Sequence, residues 1–228
     1  MTPGSLLLAD SRLPTGGHAH SGGVEAAVAR GLLRDEADLA LFLAGRLRGT
    51  GPVVAAVAAA GCLLAADPTV EWARWDGAVN ARIPSAALRE ASRSQGAALL
   101  RTARRVWPSA ALDGLWATGR RSHHPLVLGA VVTAAGDGPG VAALLALHHL
   151  LGGACSAAVR LLGLDPITVS AVQARMSQSV ELAVLAATQI AGEAVTRQDT
   201  RLLPSTSTPL PEVLAELHAR TEVTLFAS

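Results

Sequence analysis

Asp165-Pro-Ile-Thr-Val-Ser-Ala-Val-Gln-Ala-Arg-Met-Ser-Gln-Ser-Val-Glu-Leu-Ala-Val-Leu-Ala-Ala-Thr-Gln-Ile-Ala-Gly-Glu-Ala-Val-Thr196 sets the architecture of this chain. Its apolar residues Val169, Val172, Met176, Val180, Ala183, Ala187, Ile190 and Ala194 step by three and four. That spacing lines one stripe of an α-helix and would scatter over both faces of a strand. Asp165-Pro166 supplies the start, a capping carboxylate followed by a proline at the first helical position, where a missing N–H is harmless. The spacing predicts a core helix over about residues 167–196.

The same punctuation recurs along the chain. Asp67-Pro68, Gly138-Pro139 and Thr208-Pro209 pair a capping residue with proline, and Gly51-Pro52 and His124-Pro125 look similar. With these starts the remaining helices fall at about 24–31, 36–48, 52–66, 69–80, 85–106, 109–119, 125–135, 139–162 and 210–219. Half of the 228 residues are hydrophobic, chiefly Ala, Leu and Val, and Tyr is absent. Alanine is the best helix former and adds little bulk, so helices can approach closely, whereas a β-sandwich would use Ile, Thr, Tyr and Phe. The expected fold is all-α: one helical domain over 1–228, a bundle of about ten helices with a Gly-rich N-terminal loop. Leu203-Pro-Ser-Thr-Ser-Thr-Pro-Leu210 reads as a linker to a C-terminal helix and tail, leaving that helix mobile or docked on a partner.

Several functions are set aside by what is missing. A formal net charge of +1 without an aromatic-interleaved basic patch argues against nucleic acid. Cys62 and Cys155 sit in apolar surroundings without a CxxC or Cys/His spacing, so neither zinc nor a disulfide framework is expected. The chain has no Lys, which removes a Walker A phosphate loop and Schiff-base chemistry, and GxSxG and HExxH motifs are absent. Met1-Thr-Pro-Gly-Ser lacks a signal-peptide pattern. The apolar run 52–66 is short for a membrane span, and the run 140–164 is interrupted by His148, His149 and Arg160. A cytoplasmic protein without a membrane span or a bound cofactor is expected.

The longest run that composition does not explain is Asp10-Ser-Arg-Leu-Pro14-Thr-Gly16-Gly17-His-Ala-His20-Ser21-Gly22-Gly23-Val-Glu25. Proline and two glycine pairs make it a loop that offers backbone, and Glu25 lies in the first turn of the helix it launches, where a carboxylate complements the helix dipole. The glycines suit either a partner contact or positive φ. In the helix from Ser85, Gln95 and the bare Gly96 fall on or beside the buried side with Leu88, Ala91 and Leu99. A helical glycine marks close packing or a contact surface, and both readings stay open. His18-Ala-His20 is the most enzyme-like pattern, since paired imidazoles on an extended segment can hold a metal; further ligands could come from His123-His124, His148-His149, His218 or Asp10. Loop histidines that hydrogen-bond backbone or face a partner are the leading reading, and transient nickel contact lies between that and a catalytic site. His148 and His149, in an apolar helix, read as core or interface residues.

Residues 8–25, with their LPTGG…HSGGVE core, resemble the N-terminal signature of the UreF family of urease accessory proteins. Three more segments match in order: Ile83-Pro-Ser-Ala-Ala-Leu-Arg89-Glu90-Ala-Ser-Arg-Ser-Gln95-Gly96, His123-His-Pro-Leu-Val-Leu-Gly129, and Leu225-Phe226-Ala-Ser228. The similarity spans nearly the whole chain. His18 departs from the family's usual Phe, and Thr224 from the Arg that precedes Leu-Phe in many members.

The resemblance implies a non-enzymatic helical chaperone of urease maturation. Such a protein binds a UreD (UreH) accessory protein, recruits the nickel-carrying UreG GTPase, assists nickel insertion into apo-urease, and forms a homodimer. It implies a partner-binding surface made of Asp10, Pro14, Gly16, Gly17, His20, Ser21, Gly22, Gly23 and Glu25 with Arg89, Glu90, Gln95 and Gly96 facing the GTPase, and Leu225 and Phe226 docking on the UreD-type partner. Neither catalytic nor metal-ligating residues are expected. A regulator that inserts Arg89 or Arg93 into the GTPase is a variant of this reading. The competing class, a metal-dependent hydrolase using His18 and His20, predicts a tightly bound metal ion that elemental analysis would reveal.

Overall fold

The computed structural model describes residues 1–10, 12–14, 21–119 and 121–219. Among them are twelve α-helices and no strand: α1 Pro3–Ala9, α2 Val24–Ala29, α3 Glu36–Arg48, α4 Thr50–Leu64, α5 Trp72–Asn80, α6 Ala86–Val106, α7 Ala110–Ala117, α8 His124–Ala134, α9 Pro139–Leu162, α10 Pro166–Ala174, α11 Ser177–Thr196 and α12 Pro209–His218. A 3₁₀ turn, Thr200–Leu202, precedes the last of them.

Helix α4 is the axis. Its Val53, Ala55–Ala60, Cys62 and Leu64 are all buried, so it has no solvated face and packs against α8, α9 and α11 at once. Small residues permit this. A Cβ on Gly129 of α8 would lie 2.1 Å from the Ala58 carbonyl oxygen, and one on Gly61 of α4 would lie 2.5 Å from that of Leu126. The two backbones therefore touch where neither has a side chain. Helix α6 closes the far side of α8, and α1 and α2 lie along α9. Of all described helices only α9 is long and apolar enough to cross a membrane, but more than half of its most apolar window is buried against the rest of the protein, so it is a core helix.

The capping reading of helix starts holds at most sites. Asp165 accepts from the N–H groups of Ile167 (3.2 Å) and Thr168 (2.9 Å), and Pro139, Pro166 and Pro209 each open a helix. It fails at Asp67-Pro68. There Asp67 accepts from the N–H of Thr69 (2.8 Å) in a separate turn, and α5 starts at Trp72.

Two differences matter more. Residues 3–9 form α1, which Thr2 caps by accepting from Ser5 N–H at 3.2 Å. The long helix expected over 167–196 is two, broken at Arg175–Met176 without any glycine or proline. The halves serve different neighbours: α10 packs on α9 and α3, and α11 on α4 and α9. The apolar stripe survives the break, with Val169, Val172, Ala187 and Ala194 buried and Met176, Val180, Ala183 and Ile190 partly buried.

The segment 203–210 is not a free linker. Arg82 binds it from the turn that follows α5, donating from Nε to Pro204 O (2.8 Å) and from Nη2 to Leu203 O (3.0 Å) and Thr200 O (2.7 Å). Leu203 is buried, Thr206 Oγ1 donates to Gly49 O at 2.6 Å, and Thr208 Oγ1 accepts from Thr50 N–H at 3.0 Å. It is a strap that seats α12 on the protein's own α2 and α6.

Candidate functional site

The strap and α12 form one wall of a cleft, a cavity of about 710 Å³. Its other walls come from α3, α4, α6, α9 and α10, and of the candidate residues Asp10, Gly22 and Gln95 line it. Asp10 holds Arg12 through both carboxylate oxygens, and that guanidinium keeps its carboxyl down at about 2. Pro14 O accepts from Thr102 Oγ1 on α6 at 2.9 Å, so Pro14 is tied to the helix bearing Gln95.

Residues 21–25 turn inward. Ser21 and Gly23 are buried, and Ser21 Oγ accepts from Glu25 N–H at 3.4 Å. Gly22 and Gly23 have φ of +60° and +92°, and Gly23 rests on Pro211 of α12. Positive φ thus accounts for this glycine pair. Glu25 Oε2 lies 3.5 Å from His218 Nε2, both side chains largely buried, which ties α2 to the last turn of α12.

On α6 the candidates divide. Gly96 is interior: a Cβ there would fall 2.0 Å from Ser122 O, so packing accounts for the glycine. Gln95 faces the cleft. Glu90 is exposed and pairs with Arg121. Arg89 donates to Ile83 O (2.7 Å) and Pro84 O (2.8 Å), and Arg93 to Asp76 (2.9 Å) and Arg121 O (2.6 Å). Both guanidinium groups donate to their own chain, so inserting either into a GTPase would first break these bonds. Gly16, Gly17, His18, His20, Thr224, Leu225 and Phe226 lie outside the described residues.

Among the described histidines, His123 and His149 take structural roles. His123 is fully buried, its Nδ1 3.1 Å from Ser92 Oγ and its Nε2 3.3 Å from Asn80 Oδ1, while its backbone N–H donates to Asp76 at 2.7 Å. An amide oxygen only accepts, so Nε2 carries the proton and Nδ1 accepts from the serine. Burial pushes this imidazole down to about 4. His149 Nε2 donates to Leu8 O at 2.7 Å, and burial lowers it likewise to about 4. His124 and His148 flank it in the cleft, with ring centroids 5.6 and 6.0 Å from it. Among the described residues no group of three or more His, Cys, Asp or Glu is disposed to hold a metal ion.

Sequence reasoning missed Arg46, Arg82 and Glu216. No local pattern marks them, because each acts on backbone or side chains far away in the chain.

Comparison with known proteins bears on the whole chain. The UreF family model matches residues 33–177. The urease accessory protein UreF of Mycolicibacterium vanbaalenii is 43% identical over 226 residues, covering 98% of this chain and 97% of that protein. Those of Mycobacterium sp. strain JLS and Mycobacterium marinum are 42% and 41% identical over 223 residues, with the same coverage.

Proposed function

Because the chain belongs to the UreF family of urease accessory proteins, we propose that it is a non-enzymatic scaffold of urease maturation. In this reading it binds a UreD/UreH-type accessory protein and recruits a UreG-type GTPase, so that nickel reaches apo-urease in the cytoplasm. The observation that carries it is the match along nearly the full length to proteins named for assisting urease and not for a reaction of their own. A metal-dependent hydrolase is correspondingly disfavoured.

The geometry supports a scaffold in a specific way. Helix α12 gathers three stretches that the sequence offers separately: it meets the Asp10–Glu25 loop through Glu25 and Gly23, meets the start of α6 through Glu216, and leads into the chain end. A partner engaged at the C-terminal end would thereby bear on the surface assigned to the GTPase. The homodimer belongs to the same reading, and the outward Leu182 and Leu185 of α11, 62% and 68% exposed, are the kind of surface that self-association covers.

The test is size-exclusion chromatography with light scattering. This protein is mixed with a UreD-type protein and a UreG-type GTPase from the same cell, with and without GTP and nickel. A discrete higher-mass complex is expected, and its absence with folded, soluble components would overturn the reading.

A further inference from the structure

Arg46 on α3 differs from Arg82, which also lines the cleft. Arg82 spends its guanidinium on the carbonyls of Ala78, Thr200, Leu203 and Pro204. Arg46 donates from Nη1 to Gly22 O, while its Nε is shut off from solvent and meets no acceptor among the described residues. The Phe42 ring, 6.0 Å from the guanidinium carbon, offers a weak cation–π contact. Burial alone draws the group down to about 10, with no carboxylate opposing it. Both acids that line the cleft are engaged elsewhere: Asp10 holds Arg12, and Glu212 Oε1 accepts from Thr208 N–H at 3.3 Å.

A half-buried guanidinium without a counter-charge, and with a sheltered Nε–H lacking an acceptor, is an unfavourable arrangement that a ligand can relieve. With Nη1 committed to Gly22, the Nε–Nη2 edge is left, and once an incoming ligand displaces the side chains that cover Nε, that edge receives a carboxylate side-on through two parallel N–H···O bonds. The walls around it are largely apolar, including Leu8, Val53, Leu88, Pro125 and Val169. Some 710 Å³ is far more than a carboxylate fills, so the occupant brings apolar groups as well.

We propose that this cleft receives an apolar segment of a partner protein bearing one acidic side chain, whose carboxylate Arg46 binds. That the occupant is a protein rests on the scaffold reading; that it is anionic rests on Arg46.

The test has two arms. In the first, octanoate and 1-octanol are titrated calorimetrically into the full-length protein alone. Octanoate should saturate one site at least about tenfold more tightly than octanol, and Arg46→Gln, which keeps a donor for Gly22, should erase the difference while Arg46→Lys keeps part of it. Equal affinities, or an unchanged preference in a folded Arg46→Gln protein, would overturn the anionic site. Circular dichroism checks folding, and the Lys variant carries the comparison if the Gln variant unfolds. In the second arm, the same variants are assembled with the UreD-type and UreG-type proteins, and Arg46→Gln should weaken the complex about tenfold. Full-strength assembly of that variant would overturn the protein occupant and leave a small-carboxylate site. Failure of the wild-type protein to assemble would overturn the scaffold reading together with the protein occupant, and the octanoate result would stand by itself.

Discussion

The carboxylate of Glu216, on α12, caps α6 from outside: its Oε1 accepts from Ser85 Oγ at 2.6 Å and from the N–H of Ala87 at 2.9 Å. Ser85 is itself the N-cap and accepts from Leu88 N–H at 3.1 Å, so two of the exposed donors of that helix end are satisfied by residues 131 positions apart. The negative charge also lies at the positive end of the helix dipole. Glu216→Ala should lower stability by about 1–2 kcal/mol and speed amide exchange in the first turn of α6. Glu216→Gln keeps an acceptor and should cost less. Urea unfolding with hydrogen exchange reads both, and an unchanged exchange rate at residues 86–89 in the Ala variant would contradict the cap.

Gly96 lets α6 lie against the backbone of Ser122–His124. With a Cβ 2.0 Å from Ser122 O and 3.0 Å from His124 N, Gly96→Ala forces the backbones apart. A loss of about 2–3 kcal/mol in chemical denaturation is expected, together with loss of the His123 hydrogen bonds. If the variant is as stable as the wild type yet fails to bind partners, Gly96 serves contact and not packing.

His123 makes stability pH-dependent. Its folded value of about 4 lies below the ordinary 6.5, chiefly through desolvation, which the carboxylate of Asp76 opposes and Arg93 and Arg89 reinforce. The unfolded chain binds a proton in the window between these values and the folded protein does not. Stability is therefore complete above about pH 6.5 and falls as the pH drops toward about 4, by at most about 3 kcal/mol for this group. His149 adds a loss of the same sign in the same window. Urea midpoints measured from about pH 7.5 down to about 4.5 should slope less in His123→Gln than in wild type; parallel slopes would place the titration elsewhere.

Arg82 is the clasp of the strap. Arg82→Ala removes four donated bonds, and Arg82→Lys cannot reproduce their fork geometry. Either change should cost about 2–4 kcal/mol and open residues 203–208 to limited proteolysis. A strap that stays resistant in both variants would show that Leu203 and the Thr50–Thr208 contact hold it unaided.

Helix positions were legible because their determinants are local. The three-and-four spacing from Val169 to Ala194 and the Asp165-Pro166 start lie within one stretch, and Ala and Gly at α4 and α8 announce close packing. Where locality ends, the reading ends. Seven residues of α1 are too short to display a period. The break at Arg175–Met176 follows from different neighbours on either side, and the tethered strap depends on an arginine more than a hundred residues earlier.

The candidate site divides along the same line. Sequence patterns identified the family and marked residues 10–25 and 89–96 as candidate stretches. The cleft, the charge of Arg46 inside it and the seat of α12 arise where distant segments desolvate one another. Periodicity and capping are properties of neighbouring residues, whereas burial and charge compensation are properties of what folding brings close.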